Sequence, residues 1–591
     1  APLRLGQTVW HPVDRLRQSV RQLILDRITD RSHAGLVAAL VVGDQQAIDN
    51  RDWDVFRATG VAHLMAISGL HITMFAWVAM GLMGVLWRRS ATLCLWRPAP
   101  TAALLGGVLL ATAYAVFSGW GVPAQRTVLM LWVVSVLRVW GIRWPWPHLW
   151  LLACVAVLLL DPWAMWQAGF WLSFVAVGVL FASNSGATRA DGTRARARIV
   201  SMFREQWTIT LALTPLTLLL FGQVSLVALA ANALAIPWVT LVITPLAMAG
   251  VLFPPLWGLA SLAMEGMSSY LAFLAALPFA TVSVAQAPLW AGAAGLVGGV
   301  LLVMRLPWRL RLMGLPLVLP VLLWQTPTPA AGEFELLAAD VGQGNAVIVR
   351  TAHHVLVYDT GPRYGLDNDA GQRVVVPLLN ALGARVDTLV LSHRDSDHVG
   401  GAAAVLLAHP KALLLSSIED THELQRLRPA TRCQAGQRWQ WDGVDFEVLH
   451  PSPADYEGPL KSNALSCTLR ITNGQQVALL AGDIEKAQEL KLVQEGIKVK
   501  ADVLLVPHHG SQTSSTPEFL DAVSPRIALV QSGYRNRYGH PARPVMVRYE
   551  ARGIQVVTSP TCGAALWQTR QPDRVICQRD RHARYWQHNS H

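Results

Sequence analysis

The sequence predicts a polytopic α-helical membrane domain followed by a soluble α/β domain. Hydrophobic residues make up 52% of the 591 residues and charged residues only 15%, whereas soluble domains average about 25% charged residues. The part before Gln325 carries 22 arginines, no lysine and 11 acidic residues, while the part after it carries equal numbers of basic and acidic residues. An apolar, arginine-rich half suits a bilayer and an anionic partner, and it excludes a disordered chain.

Residues 1–62 form a mixed segment in front of the apolar runs. Within it, RQSVRQLILDR at 17–27 predicts an amphipathic helix with its basic residues on one face. A helix that lies on the membrane surface and an ordinary soluble helix are equally consistent with this pattern.

Residues 63–325 are predicted to form the membrane domain, because long apolar runs follow one another there. Most of them approach the roughly 20 residues that a helix needs to cross the hydrocarbon core, which predicts nine or ten spans. The runs are 64–87, 99–120, 122–142, 147–160, 166–183, 207–222, 224–260 (long enough for two), 266–281 and 287–304.

Clusters of arginine follow or separate these runs and predict their orientation. They lie at 88–97, 138–143, 189–204 and 305–311. Basic residues concentrate on the cytoplasmic side of membranes, and a short apolar run, 312–325, follows the last cluster. If this run crosses the bilayer, everything after Gln325 lies outside the cytoplasm. We favour this orientation over one in which the run only rests at the interface.

Several polar side chains lie within or beside the apolar runs, where they are costly unless they line water or bind something. His63 and His71 open the first run, and Arg126 lies just inside the third. We expect these three residues to line a conduit. For the two histidines, helix capping or packing is a slightly better explanation than a conduit. For Arg126, a side chain that reaches to the lipid headgroups is an equally good explanation.

A linker, TPTPAAG at 326–332, separates this half from a region with a different pattern. Residues 333–591 predict a soluble α/β domain, because short β-branched strands alternate there with turns and helices. The predicted strands are 334–340, 346–350, 355–358, 388–391, 444–449, 468–472, 477–480 and 503–506, with helices at 401–408 and 484–494.

The segment SHRDSDHVGG at 392–401 follows one of these strands and carries the clearest chemical signal. His393, Asp395, Asp397 and His398 crowd into six residues, and like charges that close repel one another unless a cation lies between them. A binuclear metal site accounts for the set, with one ion on His393 and Asp395 and the other on Asp397 and His398. A solvated acidic turn is the much less favoured alternative.

Polar residues after other predicted strands allow the same site to be assembled from several strand ends. Asp483 follows the strand 477–480 and is expected to bridge the two ions, and His508 follows 503–506 as a further ligand. We expect Asp397, His398 and Asp483 to take part directly in catalysis. A single strand-end histidine such as His540 is more often a neighbour of a site than a ligand in it.

These motifs resemble the metallo-β-lactamase fold, a four-layer αββα sandwich with its metals at strand ends. The first motif of that superfamily normally reads HxHxDH, and here Asp395 stands in the second histidine position. Together with DVGQG at 340–344 and HHGS at 508–511, this exchange resembles the C-terminal domain of the ComEC family of competence proteins. The membrane half resembles the same family in HLMAISGLH at 63–71, VPAQRT at 122–127 and DPWAMWQAGFWLSF at 161–174.

The resemblance implies a multi-pass inner-membrane protein of natural transformation. One strand of DNA would pass through the membrane domain, and the C-terminal domain, outside the cytoplasm, would hydrolyse phosphodiesters of the strand left behind. Residues 1–62 would be the remnant of the family's longer N-terminal region. Asn463 lies where the family has an Asn/Ser motif, and it joins Ser511, Ser514 and His540 as an expected substrate contact.

Two divalent metal ions are the expected cofactors. The exchange of a histidine for Asp395 replaces a soft nitrogen by a hard oxygen, which favours manganese and leaves zinc and magnesium open. The sequence contains no GxxxxGK[ST] nucleotide-binding loop. A separate motor or cytoplasmic strand-binding protein is therefore an expected partner, and the resemblance implies single-stranded DNA, the lipid bilayer and a DNA receptor as the others.

Two alternatives belong to other functional classes. One is a membrane-tethered binuclear metallohydrolase without a transport role, and the other is a channel whose soluble domain is inactive. A smaller expectation concerns Cys562 and Cys577, which flank a predicted hairpin. A bridge between them fits the sequence if the domain lies outside the cytoplasm.

Overall fold

The computed structural model describes residues 10–183, 195–365, 368–458 and 461–584, without the side chains of 195–202. The chain divides into two compact units, Ala1–Trp324 and Gln325–His591. Arg189 and Arg194 of the third arginine cluster lie outside the described residues.

The N-terminal unit is built from helices, and its one described pair of strands, β1 (Gln223–Ser225) and β2 (Thr281–Ser283), is antiparallel. Each predicted apolar run contains at least part of a helix. The helices are α1 Pro12–Arg27, α2 Arg31–Val42, α3 Asn50–Ala58, α4 Gly69–Arg88, α5 Ala91–Trp96, α6 Ala99–Phe117, α7 Val122–Val139, α8 Trp146–Leu160, α9 Ala168–Ser183, α10 Ala195–Phe221, α11 Ala228–Trp238, α12 Thr244–Ala249, α13 Leu256–Ala275, α14 Leu289–Val303, α15 Trp308–Leu312 and α16 Gly314–Leu322.

Four helical segments of the described chain are long and apolar enough to cross a bilayer: Ala62–Arg88, Ala99–Phe117, Val122–Val139 and Ala228–Ala249. These segments fit a membrane protein, but they are fewer than the nine or ten spans that the sequence predicted. One reason is length, because the apolar helices α8 and α9 have only 15 and 16 residues. The number of spans therefore stays a prediction.

The helix α2 lies at the centre of the N-terminal unit rather than in a separate leading segment. Its residues Leu36–Val42 are all buried, and it packs against α1, α12 and α13. A helix that is apolar on every side has to be covered on every side. Residues 31–42 thus belong to the same core as the helices after residue 63, although the sequence analysis grouped them with the mixed segment.

The C-terminal unit contains two large sheets. The first has the strand order β10-β9-β8-β5-β4-β3-β18-β19 and the second the order β11-β12-β13-β14-β15-β16-β17. The strands are β3 Glu335–Ala338, β4 Val347–Arg350, β5 Val355–Tyr358, β6 Arg363–Gly365, β7 Asn368–Asp369, β8 Thr388–Leu391, β9 Leu413–Ser416, β10 Ala430–Arg432, β11 Arg438–Trp441, β12 Val444–His450, β13 Thr468–Thr472, β14 Val477–Leu480, β15 Val503–Leu505, β16 Ile527–Val530, β17 Gln555–Thr558, β18 Ala565–Gln568 and β19 Val575–Cys577.

Helices cover the outer faces of both sheets. The helices are α17 Val376–Leu382, α18 Ser396–Val399, α19 Ala402–Ala408, α20 Glu423–Leu427, α21 Lys486–Gln494, α22 Pro517–Val523, α23 Arg543–Glu550, α24 Ser559–Cys562 and α25 Gln578–Arg581. Leu356 of the first sheet and Phe446 of the second share one buried core. Outside it, α17 and α19 pack on the first sheet, and α21, α22 and α23 pack on the second. This four-layer arrangement confirms the predicted αββα sandwich.

The strands that lead to the candidate site are mostly parallel to their neighbours. In the first sheet β5 and β8 pair in parallel, and in the second sheet β14, β15 and β16 do so. Loops at the carboxyl ends of parallel strands lie along one edge of a sheet, where α/β proteins commonly bind ligands. The loops after these five strands therefore converge.

Two disulfide bridges stabilise the C-terminal unit. Cys562 and Cys577 are joined across the hairpin of β18 and β19, at the position that the sequence suggested. Cys433 and Cys467 form a second bridge that the sequence analysis did not anticipate. It connects the residue after β10 in the first sheet to the residue before β13 in the second.

Candidate metal centre

His398 is the central imidazole of the candidate site, and Asp359 fixes its orientation. The His398 ring is fully buried on α18, and its Nδ1 donates to Asp359 Oδ2 over 2.8 Å. Asp359, directly after β5, also accepts the N–H of Ser392 over 2.7 Å. With Nδ1 held in this way, Nε2 points toward Asp483 Oδ2 at 3.3 Å. A carboxylate on the far nitrogen is the usual support of a metal-binding histidine.

His393 lies beside His398, with ring centroids 4.1 Å apart. Its Nδ1 is 3.0 Å from Ser392 Oγ and 3.3 Å from Ser466 Oγ. Its Nε2 is therefore free to face the same space as His398 Nε2, and Asp395 Oδ2 approaches it to 3.5 Å.

Asp483 reaches the site from the second sheet through a tight turn after β14. Gly482 has a φ of +60°, and a Cβ on it would lie 3.0 Å from both Ser466 Cβ and Tyr358 Oη. The turn therefore requires glycine. Ser466 Oγ accepts the Asp483 N–H over 3.0 Å. Asp483 Oδ2 lies 3.3 Å from His398 Nε2 and 3.6 Å from His509 Nε2, so the carboxylate lies between two imidazoles, and the predicted bridging role stays a prediction.

His509 completes the cluster because the backbone after β15 adopts an unusual conformation. His508 and His509 have φ values of +49° and +54°, in the left-handed region that side chains other than glycine rarely occupy. This turn buries the His509 ring, whose Nδ1 donates to the carbonyl of Gln531 over 2.8 Å. Its Nε2 then lies 3.4 Å from Asp397 Oδ2 and 3.6 Å from Asp483 Oδ2.

Two sets of side chains in the described part of the chain have ligand atoms close enough to share a cation. One comprises His393, His398 and Asp483, and the other Asp397, His398 and His509. The Nε2 atoms of the three histidines and Oδ1 of Asp483 are buried without any hydrogen-bond partner among the described residues. Buried polar atoms are rarely left unpaired. Divalent cations bound to the two sets would give these unpaired atoms a partner, so the residues present fit divalent metal ions.

The charges of the cluster are strongly coupled. Burial alone would raise the pKa of Asp483, but the neighbouring His398 and His509 hold it well below its usual range. Burial would also raise the pKa of Asp397, yet the close approach of the His509 ring and the charge of His398 lower it to about 2. Conversely, burial lowers the pKa of His398, while Asp483 and Asp359 outweigh it and raise the pKa well above its usual value. Positive charge is thus favoured at this position, and a bound metal ion would replace the protons.

His508 and Asp395, both predicted as ligands, lie outside these two sets. His508 is partly exposed, and its Nε2 is 3.8 Å from Asp483 Oδ2. Its Nδ1 faces Glu485 Oε1 at 3.4 Å. Asp395 is half-exposed, and its Oδ2 approaches His393 Nε2 to 3.5 Å. The geometry therefore divides the ligands differently from the predicted pairs, with His398 common to both sets.

His509 was missed as a ligand by the sequence analysis. The sequence shows two adjacent histidines after a strand, which predicts that one of them faces the site. The left-handed turn determines which of the two histidines faces the site. Glycine is the usual sequence sign of such a turn, but here the turn begins at two histidines, before Gly510.

The predicted substrate residues fall into two groups. The His540 ring lies 6.4 Å from the His509 ring and therefore borders the cluster. Asn463 Nδ2 lies 3.4 Å from Nε2 of His508, beside the cluster rather than in it. Ser511 and Ser514 are buried, and their hydroxyls bond within their own loop. These two serines therefore shape the loop that carries His509.

The three residues predicted to line a conduit belong to the N-terminal unit. Arg126 on α7 is only 5% exposed, and its Nε and Nη1 have no hydrogen-bond partner among the described residues. Its Nη2 lies 3.3 Å from the position that a Cβ would take on Gly169, in the first turn of α9. His71 is buried and caps α4 by accepting the Ser68 N–H at Nδ1, while its Nε2 has no described partner. His63 is exposed.

Comparison with protein families finds two matching models. The model described as Competence protein matches residues 40–309, and the Metallo-beta-lactamase superfamily model matches residues 339–533. The first covers most of the helical unit, and the second covers most strands of the two sheets and the whole ligand cluster.

Individual relatives match along most of the chain. Competence protein ComA of Neisseria gonorrhoeae is 37% identical over 574 residues, which cover 95% of this chain and 77% of that protein. Uncharacterized protein YcaI of Escherichia coli (strain K12) is 32% identical, covering 89% of this chain and 69% of that protein. ComE operon protein 3 of Bacillus subtilis (strain 168) is 29% identical, covering 92% and 72%.

Proposed function

The chain belongs to the competence protein family and carries a metallo-β-lactamase domain, and on this premise we propose that it is a single-stranded DNA channel combined with a metal-dependent nuclease. Membership of the family gives it a role in DNA uptake, and the C-terminal domain makes it a metal-dependent hydrolase. The channel, the phosphodiester substrate and the strand that is degraded are our proposal.

The nuclease proposal rests on the four unpaired ligand atoms of the cluster. Two divalent ions bound there would supply the Lewis acidity that activates water and stabilises charge on phosphorus. The set with Asp397 is more open than the fully buried set of His393, His398 and Asp483. A phosphodiester would therefore approach from the side of Asp397, with His540 beside His509 and Asn463 beside His508 as further contacts. We propose manganese as the metal, with zinc and magnesium as alternatives, because aspartate oxygens accompany the imidazoles.

The channel proposal rests on the buried guanidinium of Arg126. Its Nε and Nη1 have no hydrogen-bond partner among the described residues, which is costly for a buried charge, and the first turn of α9 adds further positive potential beside it. Asp161, the acidic residue whose charge attracts Arg126, accepts the N–H of Trp163 over 3.1 Å and forms no described salt bridge with Arg126. An anion that enters the bundle, such as a DNA phosphate, would satisfy both Arg126 and the helix terminus.

The orientation proposal places the C-terminal unit in the periplasm and the chain in the inner membrane. Its support is the pair of disulfides, because such bridges persist in oxidising compartments and are rare in the cytosol. The arginine cluster at 305–311, just before this unit, would then be cytoplasmic, and the apolar α16 would lead across the membrane.

The decisive experiment separates uptake from hydrolysis. Arg126→Gln should lower transformation about 10- to 100-fold, the worth of one charge-assisted contact, while metal-dependent cleavage of single-stranded DNA by the purified protein continues. Arg138→Gln is the matched control, because Arg138 is exposed near the far end of the same helix. Undiminished uptake in Arg126→Gln would instead favour a tethered hydrolase without a transport role.

The nuclease part has its own test. Asp397→Asn should abolish cleavage of DNA in the presence of manganese, since it removes a ligand from the open set. If the parent protein cleaves no phosphodiester with any divalent metal, the nuclease assignment is rejected and a channel with an inactive domain remains.

A further inference from the structure

The loop that follows β16 presents aromatic and arginine side chains next to the candidate metal centre. Its residues 534–538 read Tyr-Arg-Asn-Arg-Tyr. Tyr534 and Tyr538 are 51% and 54% exposed, although large aromatic side chains are usually covered. Its first residue, Tyr534, comes three residues after Gln531, whose carbonyl accepts the Nδ1 proton of His509. The backbone that orients a candidate metal ligand therefore leads directly into this exposed surface.

The guanidinium group of a neighbouring arginine lies over each tyrosine ring. Arg535 lies over the Tyr534 ring at 5.3 Å, and Arg537 lies over the Tyr538 ring at 4.8 Å. Flat rings and flat guanidinium groups both stack on nucleobases, and the arginine charge also attracts phosphate.

The loop is held in shape by Asn536. Its Oδ1 accepts the N–H groups of Tyr538 and His540 over 3.2 and 3.0 Å, and its Nδ2 donates to the Gly533 carbonyl over 2.9 Å. A preformed loop loses little conformational entropy on binding, which strengthens whatever contact it makes.

Rings continue from the exposed end of the loop into the metal cluster. The Tyr538 ring stacks at 5.7 Å from His540, which lies 6.4 Å from His509 at an interplanar angle of 25°. The His509 ring is in turn 5.3 Å from His398. Neighbouring rings, with centroids 5.3 to 6.4 Å apart, therefore lead from the protein surface to the buried ligands.

We propose that the loop 534–540 is a base-stacking platform that makes the nuclease specific for single-stranded nucleic acid. The inference rests on the proposed hydrolysis of phosphodiesters and names the substrate class of the same site. Bases of a single strand offer free faces to aromatic rings, whereas bases of a duplex already stack on one another. The chain after Gln325 has no net charge, so contacts with phosphate alone would bind a strand weakly.

The ring series also argues against the other use of exposed tyrosine and arginine, which is contact with lipid headgroups. A lipid anchor gains nothing from a continuous path of rings into a buried ligand cluster. A strand whose phosphodiester must reach Asp397 needs its bases held along such a path.

The test compares two substrates of equal charge with the full-length protein in detergent and manganese. One is a single strand of DNA, and the other is a strand of the same length built from abasic nucleotides. Tyr538→Ala should raise the KM for the intact strand about 5- to 150-fold, the effect of losing one stacked base. The KM for the abasic strand should change much less. Tyr538→Phe, which keeps the ring, should restore the low KM, and Leu407→Ala is the control for loss of an exposed apolar side chain on α19.

Two further outcomes separate this inference from the proposed function. If Tyr538→Ala raises the KM of the intact and the abasic strand equally, the loop contacts phosphate or lipid and the platform is overturned. Binding of labelled strands to the Asp397→Asn variant, measured by fluorescence anisotropy, does not depend on cleavage. A Tyr538-dependent preference for the intact strand there supports the platform even if no cleavage is found in the parent protein.

Discussion

Asp359 controls the candidate metal centre although it belongs to neither ligand set. It is fully buried, and one of its oxygens holds His398 Nδ1 while the other accepts the Ser392 N–H. Asp359→Asn should preserve the backbone, because its φ is +58° and asparagine tolerates this region well. It should lower metal affinity about 10- to 100-fold, since the amide orients the imidazole less well. Titration of metal-free protein with manganese measures the effect.

The matched control for this change is Asp521→Asn. Asp521 is an exposed carboxylate on α22 that pairs with Arg552, so its loss should leave metal affinity at the parent value. Equal manganese affinity in Asp359→Asn and the parent protein would show that His398 needs no such support.

The two adjacent histidines after β15 should differ sharply in their effect on metal content. His509→Ala removes an imidazole nitrogen that lies 3.4 Å from Asp397, so the metal bound per chain should fall from two ions toward one. His508→Ala removes a partly exposed ring outside both ligand sets and should keep two ions. Metal analysis of the purified variants after dialysis distinguishes them, and the reverse order would return the ligand role to His508.

At this scale the sequence predicts chemistry better than conformation. His393, Asp397, His398 and Asp483 could each be recognised because each follows a predicted strand. The choice of His509 over His508 could not, because it depends on two consecutive left-handed residues that no local residue preference favours. The role of Gln531 could not be seen either, since it acts through its backbone carbonyl.

Among the elements, the turn between β11 and β12 joins the two sheets through Asp442. Its carboxylate accepts Thr351 Oγ1 over 2.7 Å and the His353 N–H over 2.8 Å, both from the turn between β4 and β5. Burial alone would raise the pKa of Asp442, but these hydrogen bonds and that to the His353 ring lower it well below its usual value. Asp442→Asn should therefore reduce the free energy of unfolding at pH 7 by about 1–2 kcal/mol.

The pH dependence of this effect has a definite sign. A carboxylate with a lowered pKa in the folded state stabilises the fold above its ordinary pKa, and the gain is lost as the pH falls through the folded-state value. The difference between Asp442→Asn and the parent should therefore shrink between pH 5 and pH 3, as thermal unfolding followed by tryptophan fluorescence would show. Asp445→Asn, at an exposed position on β12, is the control. A difference that grows on acidification would contradict the assignment.

Elements with a regular pattern could be predicted from the sequence, and short or interrupted ones could not. The strands β5, β8, β13 and β14 have the predicted bounds, because each is a β-branched or leucine run between turn residues. The strands β9 and β16 were missed, since their short runs of consecutive apolar residues have no periodicity to separate them from a helix. The run 224–260 contains α11, a π-helical segment at Val239–Ile243, and α12, and composition alone does not reveal such an interruption.

For the whole molecule, the change in charge and pattern at Gln325 coincides with the division between its two compact units. The disulfide between Cys433 and Cys467 closes a loop of 34 residues, for which the chain-entropy model gives about 4 kcal/mol of stabilisation. A domain that depends on such a bridge is suited to an oxidising compartment. This links the stability of the hydrolase to the side of the membrane on which it would meet the strand left outside.

The proposed orientation predicts which positions an impermeant thiol reagent can reach. In a chain whose free cysteines, Cys94 and Cys154, are replaced by alanine, Leu407→Cys adds a single thiol at a 68% exposed position of the C-terminal unit. A membrane-impermeant maleimide should label it in intact spheroplasts, because the periplasmic unit faces the medium. Arg309→Cys, in the arginine cluster before α16, should react only after lysis, since basic clusters remain cytoplasmic. Labelling of Arg309→Cys but not Leu407→Cys in intact spheroplasts would reverse the orientation, and with it the argument that the hydrolase acts on DNA outside the cell membrane.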